Sequence, residues 1–353
     1  MNKLSRKLCA LAICTLWLGS PLSSAGESGE TLRHAKTFPV PSTISQEAQA
    51  FIEGSNSISL PKPPSTPSTD QEWKQAQKTM NAHVEGMFGA FFATPSARRM
   101  MNERVIAGVT VREFTPENLP ASKRDKVLIF LHGGAYVYFS GEVGAFEALT
   151  MAQQGQYRVV AVDYRMPPEH PFPAAVDDTV AVYKALLKSY QAQNIGIFGG
   201  SAGGGLAAAT VIAARDSGSP LPGAVALNTP WSDLSKTGDT YFTNEWVDTQ
   251  LPTYEGPLGA AARLYAGKYD LKHPLLSPVY ADYDKGFPPS ILISGTRDLF
   301  LSCTVRLHRK LRQAGVPAEL HVFEAMWHGF ANVPEGQEAN AEIVAFFDRH
   351  LGH

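Results

Sequence analysis

Apolar positions along the chain fall into short, continuous, largely β-branched runs separated by longer amphipathic stretches. The runs occupy residues 127–131, 158–162, 195–198, 224–227, 290–293 and 320–323. Runs this short, apolar at nearly every position, read as strands covered on both faces. Between them, residues 173–190, 203–216, 302–314 and 337–351 carry the apolar repeat of helices. Strand and helix alternate through most of the chain, so the expected fold class is α/β, with a mostly parallel central sheet and helices on both faces. Residues 103–114 alternate apolar and polar positions, which predicts one or two edge strands. From Asp70 to about Met101 a helical pattern sets Trp73, Met80, Val84, Met87, Phe88, Phe91 and Phe92 along one side. Such a face has to cover something apolar.

Two intervals break this rhythm. Residues 231–285 are aromatic and irregular, with Trp231, Tyr241, Phe242, Trp246, Tyr254, Tyr265 and Tyr269 but no clear strand, and read as an insertion. Residues 26–68 are rich in Ser, Pro, Thr and Glu, with Pro61, Pro63, Pro64 and Pro67 close together. The stretch around 55–68 reads as a stiff linker, and the segment is expected to add little core. Ahead of it, Lys3, Arg6 and Lys7 precede an apolar run over 8–18 and a Ser23-Ser24-Ala25 end, the three parts of a secretory signal peptide cleaved after Ala25. The run is too short to cross a bilayer, which takes about 20 residues. The expected organisation is a signal peptide (1–25), a Pro/Ser-rich segment (26–68) and one α/β domain (69–353) with cap elements from 69–101 and 231–285.

Composition narrows the class further. The 353 residues are 44% hydrophobic and 18% charged, as in globular proteins, and 31 basic residues against 33 acidic ones give a net charge of -2. Nucleic acid is a poor partner for such a chain. Without residues 1–25 the balance is 28 basic to 33 acidic, so the mature form is expected to be exported, periplasmic or extracellular, and mildly acidic. Cys9 and Cys14 fall in the signal segment, which leaves Cys303 without an internal disulfide partner.

The strongest chemical signal is Gly199-Gly200-Ser201-Ala202-Gly203, a G-x-S-x-G sequence between the 195–198 strand and the helix that follows. Small residues on both sides of the serine let a sharp strand-to-helix turn lift the hydroxyl above the sheet. A phosphate loop would end in G-K-[ST], which is absent, and no Lys or Arg appears until Arg215. A serine nucleophile needs a base, an acid that orients the base, and donors for an oxyanion. His328 follows the 320–323 strand and precedes the last helix, where a loop can present an imidazole. His321 and His308 fall inside predicted elements, and His350 and His353 lie at the chain end. Asp298 follows the 290–293 strand and is the expected acid, with Asp233 its rival after 224–227. His132-Gly133-Gly134-Ala135 follows the 127–131 strand, where the amides of Gly133 and Gly134, together with that of Ala202, can point at an alkoxide.

These residues resemble the hormone-sensitive-lipase-like family of α/β-hydrolases, a group of carboxylic ester hydrolases. The resemblance covers most of 125–351. It rests on residues 132–135, on Asp163 to Ala175, on Gly199 to Gly204, on Gly295-Thr296-Arg297-Asp298 and on His328-Gly329-Phe330. It implies the α/β-hydrolase fold with a helical cap, a Ser201–Asp298–His328 triad, and no cofactor or metal. Two positions depart from the family's pattern: Ala135 stands where a third glycine is common, and Gly200 where Asp or Thr is common. The segment Tyr164 to Pro173, including His170, is expected to be structural.

The expected function is an exported serine ester hydrolase that acts on small or medium acyl esters or lactones through an acyl-enzyme. A non-catalytic ligand-binding protein on the same scaffold, and an amide or carbamate hydrolase using the same triad, are the competing readings. The aromatic face at 73–92 and the insertion at 231–285 are expected to roof the serine and favour short acyl groups, with Ala135, Tyr136 and Tyr138 narrowing the space.

Overall fold

The computed structural model describes residues 37–56 and 66–352. The expected signal segment, the rest of 26–36 and much of the Pro-rich linker lie outside the described residues. The unit from Val40 onward holds all the described secondary structure.

Eight strands form one sheet in the order β1-β2-β4-β3-β5-β6-β7-β8. β1 (Met101–Ile106) and β2 (Val109–Phe114) make an antiparallel hairpin on one edge, and β2 runs antiparallel to β4 (Arg158–Val162). From β4 onward every pair is parallel, through β3 (Val127–Leu131), β5 (Ile195–Gly200), β6 (Ala224–Asn228), β7 (Ser290–Gly295) and β8 (Ala318–Phe323). Each predicted strand is present. The continuous apolar runs arise because both faces of the sheet are covered. Along β3, Val127, Ile129 and Leu131 enter one core while Leu128 and Phe130 enter the other, as strand alternation requires. α5 (Ala174–Leu186) and α6 (Ala202–Asp216) line the first core, while α4 (Phe146–Gly155) and α10 (Pro334–His350) line the second. α4 has no counterpart in the sequence prediction.

The N-terminal segment does more than expected. α1 (Gln46–Asn56) buries Ala48 and Ile52 in the second core together with Ile44 just ahead of it, so the expectation that 26–68 adds little core is corrected for residues 44–52. Three apolar positions four residues apart make a helical stripe, hidden in a segment whose composition is otherwise polar.

The 70–101 helix divides in two. α2 (Asp70–Phe92) starts on a capping box in which the Thr69 hydroxyl accepts from the Glu72 amide and the Glu72 carboxylate accepts from the Thr69 amide. α3 (Pro95–Met100) restarts on Thr94, with Pro95 in the first turn, where its missing N–H costs nothing. The inward stripe of α2 is also narrower than expected. Trp73, Val84 and Phe92 are buried, whereas Met80, Met87 and Phe91 face solvent. Polar Gln77 and Asn81 complete the inner side. Gln77 donates to the Pro167 carbonyl at 2.7 Å, and Asn81 bonds the Phe139 amide at 3.0 Å and the Ser140 hydroxyl at 2.9 Å.

The insertion is largely core. Trp231, Tyr241, Tyr254 and Tyr265 are buried with the first cluster, so most of its aromatics brace the sheet rather than roof the serine. α7 (Thr240–Thr243) is a single turn, and in α8 (Pro257–Ala266) Ala261 meets Trp73 of α2 and Val137, with Tyr138 packed alongside. Cys303, in α9 (Leu301–Gln313), is buried and forms no disulfide among the described residues.

Candidate active site

Ser201 stands at the turn between β5 and α6 with φ 57° and ψ -123°, a left-side conformation that only a closely held turn sustains. The turn is pinned from both directions. The Ser201 amide donates to Asn228 O at 2.9 Å, and Ser201 O accepts from Trp231 N at 2.8 Å. A side chain at Gly203 would collide with the Leu131 carbonyl, so the elbow sits directly on the end of β3. The same closeness brings Gly133 to Ser201: a Cβ there would lie 3.2 Å from Ser201 Cβ and 3.1 Å from Gly200 O.

The amides of Gly133 and Gly134 donate to no carbonyl among the described residues, and Ala202, first in α6, has no intrahelical acceptor for its N–H. His132 is not part of the chemistry. It is buried, stacked on Tyr164 at 4.1 Å and bonded through Nδ1 to Gly133 O, while Tyr164 OH holds the His132 carbonyl. Tyr164 therefore supports the 132–135 loop, and the next residue, Arg165, forks onto Asp178. Ala135 has φ 54°, a backbone region open to glycine at no steric cost, which explains why glycine suits that position.

The structure brings the three expected groups together. His328 Nε2 lies 2.8 Å from Ser201 Oγ, and His328 Nδ1 lies 3.0 Å from Asp298 Oδ1. Asp298 is fully buried and further fixed by the Ser294 hydroxyl at 2.7 Å and the Phe300 amide at 2.8 Å. The Phe300 ring meets the His328 imidazole edge-on at 4.7 Å and stacks on Trp231 behind it. The rival acid is elsewhere. Asp233 is enclosed by Ser235, Thr237, Tyr280 and Arg306, and although burial raises its pKa, these hydrogen bonds hold it below the usual carboxylate range.

Two carboxyls that the sequence reading passed over stand close by. Asp248, in the insertion, accepts from the amides of both Leu299 and His328. Glu147, in α4, has its oxygens 3.1 and 3.2 Å from where a Cβ on Gly200 would stand. A side chain at 200 would therefore press on the Glu147 carboxylate, which glycine leaves free. Burial raises the Glu147 carboxyl to about 7 against the pull of His328. Burial lowers the His328 pKa, but the hydrogen bond and charge of Asp298, followed by the charges of Asp248 and Glu147, more than reverse this and leave it raised. No periodicity marks Asp248 or Glu147; they become visible only once the loops are folded together.

The alpha/beta hydrolase fold model matches residues 128–332. The chain belongs to the hormone-sensitive-lipase-like family of α/β-hydrolases. An acetyl-hydrolase of Streptomyces hygroscopicus is 35% identical over 250 residues, covering 69% of this chain and 83% of that protein. The crystal structure of esterase E25 superposes with a TM-score of 0.84 at 41% identity, covering 91% of this chain and 99% of that one. An esterase from the bacterial hormone-sensitive lipase family aligns with a TM-score of 0.73 at 30% identity, over 87% and 97% of the two chains. The protein is a serine ester hydrolase of the carboxylesterase type.

Proposed function

We propose that the protein is an exported esterase that hydrolyses short to medium acyl esters or lactones through an acyl-enzyme on Ser201. The observation that carries this reading is the unbroken hydrogen-bonded line from Ser201 Oγ through His328 to Asp298 Oδ1. His328 Nε2 takes the hydroxyl proton as Ser201 Oγ attacks the ester carbonyl, and Asp298 stabilises the imidazolium through Nδ1–H. The amides of Gly133, Gly134 and Ala202 receive the negative charge that forms on the carbonyl oxygen. As the tetrahedral adduct collapses, His328 returns the proton to the departing alcohol. Water, activated by the same nitrogen, then releases the acid and restores the serine.

Preference for short acyl groups is supported by α2 and α8 closing over Val137 and Tyr138, just beyond the oxyanion loop. The acetyl-hydrolase name of the Streptomyces relative points the same way. Export is supported by the basic, apolar and small-residue sections of 1–25. Among the described residues no helix is long and apolar enough to cross a membrane.

The test is Ser201→Ala in the mature protein. A folded variant that has lost at least ~10³-fold in kcat toward p-nitrophenyl acetate is expected. A folded Ser201→Ala protein with undiminished turnover contradicts the mechanism.

A further inference from the structure

Asp248 is buried in the insertion, 50 residues before the catalytic acid in sequence, yet its carboxylate is saturated by four backbone amides. Oδ1 accepts from Gln250 and Leu251, both at 2.9 Å, which fixes the carboxylate within its own loop. Oδ2 accepts from Leu299 at 2.8 Å and from His328 at 3.1 Å. Leu299 directly follows Asp298, and the second amide belongs to His328 itself. One oxygen atom therefore spans the two loops whose separation sets the Asp298–His328 hydrogen bond. The same stretch grips the acid loop a second time, because Asn244 Nδ2 donates to the Asp298 carbonyl at 2.9 Å and to that of Thr296 at 3.2 Å.

We propose that Asp248 is a positioning residue of this esterase, a clamp by which the insertion holds Asp298 and His328 in register. The proposal rests on the Ser201–Asp298–His328 reading and deepens it. Stability alone does not explain the residue. Burial and the adjacent Asp298 carboxylate push its pKa up, so its ionised form is held against a cost in a site where an apolar contact would anchor a loop more cheaply. What charge adds is a pair of strong amide bonds to two separate loops, and a negative potential at His328 alongside those of Asp298 and Glu147.

Asn in place of Asp can satisfy only one amide pair; its NH2 must face the other. Asp248→Asn is therefore expected to lower kcat on the order of 10–100-fold, the effect of a small displacement between reacting groups, while KM changes little. With one negative charge removed and Asp298 and Glu147 still facing the imidazole, the acid limb of kcat moves to lower pH. The limb reports the charge at His328, whereas the fall in plateau kcat of a folded variant reports the clamp, and a residue that merely holds the insertion down gives no such fall.

The experiment compares the full-length mature protein with Asp248→Asn for kcat, KM and pH profile on p-nitrophenyl acetate, for melting temperature, and for labelling of Ser201 by a fluorophosphonate. Slower turnover by a folded variant, with the acid limb displaced downward, supports the clamp. A labelled Ser201 with kcat and acid limb unchanged overturns the clamp alone, as does a kcat lost only in proportion to unfolding. If the unsubstituted protein is not labelled at Ser201, the triad reading fails and the clamp fails with it. Should Asp248→Asn not fold, Asn244→Ala loosens the same grip without disturbing a buried charge. It is expected to lower kcat about 10-fold with the limb unmoved, and full activity in it overturns the proposal.

Discussion

Phe51 lies flat on the indole of Trp327, with 4.4 Å between ring centroids and 14° between planes. Trp327 is buried and immediately precedes His328, so α1 supports the loop that carries His328. Two polar ties flank the stack: the Thr43 hydroxyl bonds Glu324 at 2.7 Å, and Ser45 bonds the Glu335 carboxylate through its amide and its hydroxyl. Truncation through residue 56 is therefore expected to destabilise the protein and slow it. Phe51→Ala should cost about 2 kcal/mol, the lower range for losing a large apolar side chain at a partly buried site. Melting temperature and kcat measured together check this. An unchanged melting temperature contradicts the brace.

The acid is separated from its rival by one pair of variants. Asp298→Asn cannot stabilise the imidazolium and favours the wrong tautomer, so kcat should fall by roughly 10³–10⁴-fold with the fold retained. Asp233→Asn weakens the bond to Arg306 and should lower the melting temperature while leaving the pH profile of kcat in place. Steady-state rates and thermal melts of both proteins decide between them; a slower Asp233 variant reverses the assignment.

Activity should rise with pH as His328 loses its proton, with a midpoint above the ordinary value of about 6.5, since the imidazole pKa is raised. Glu147→Gln removes one of the charges that raise it and moves this limb to lower pH. The same substitution bears on stability. A carboxyl whose pKa is raised on folding binds its proton more tightly in the native state, so stability declines as pH rises from about 4.5 toward about 7. Glu147→Gln should remove the Glu147 share of that decline and leave the variant more stable at pH 8 by up to about 3 kcal/mol. Urea melts at pH 5 and pH 8 give the comparison.

Gly200 and Glu147 should be energetically coupled. Gly200→Thr brings a Cβ within about 3 Å of the Glu147 oxygens and is expected to lose stability and activity. In a Glu147→Ala background the penalty should shrink by 1 kcal/mol or more, on the scale of about 0.5–3 kcal/mol typical of contacting pairs. A double-mutant cycle on melting free energies measures it, and additive effects contradict the contact.

Acyl selectivity should reside around Trp73 and Tyr138 rather than at Phe92. Phe92 is buried in the second core, so Phe92→Ala should cost about 3–4 kcal/mol without altering chain-length preference. Trp73→Ala should move the maximum toward longer acyl chains. Phe88 and Phe91 cluster with Phe146, the residue before Glu147, and their replacement by Ala should have the same direction with smaller effect. Specificity constants for p-nitrophenyl esters of increasing length show the maximum and its shift. Rates that keep climbing to the longest chains contradict a closed roof.

The sheet was legible because strands covered on both faces have no polar positions, and runs such as 127–131 show this directly. The elbow and the order Ser201, Asp298, His328 were legible because tight turns need small residues and strand ends carry the functional loops. α1 was not, since three buried side chains sit in a segment whose average is polar. The insertion misled for the opposite reason: Trp231, Tyr241, Tyr254 and Tyr265 are aromatic because they pack beside the sheet, and composition does not distinguish a roof from a wall. Gln77 and Asn81 face inward to bond loop backbones, so α2 hides its inner face from an apolar count. Asp248 and Glu147 act across loops far apart in sequence, and no local spacing encodes that.

Covalent catalysis by Ser201 is tested by trapping the intermediate. The purified protein is quenched in acid during turnover of p-nitrophenyl acetate, digested and mapped by mass spectrometry. One acetyl group is expected on the peptide containing Ser201, absent from Ser201→Ala and accumulating in His328→Ala only to a trace. An acetyl group on another side chain, in a protein whose Ser201→Ala variant still turns over, contradicts it.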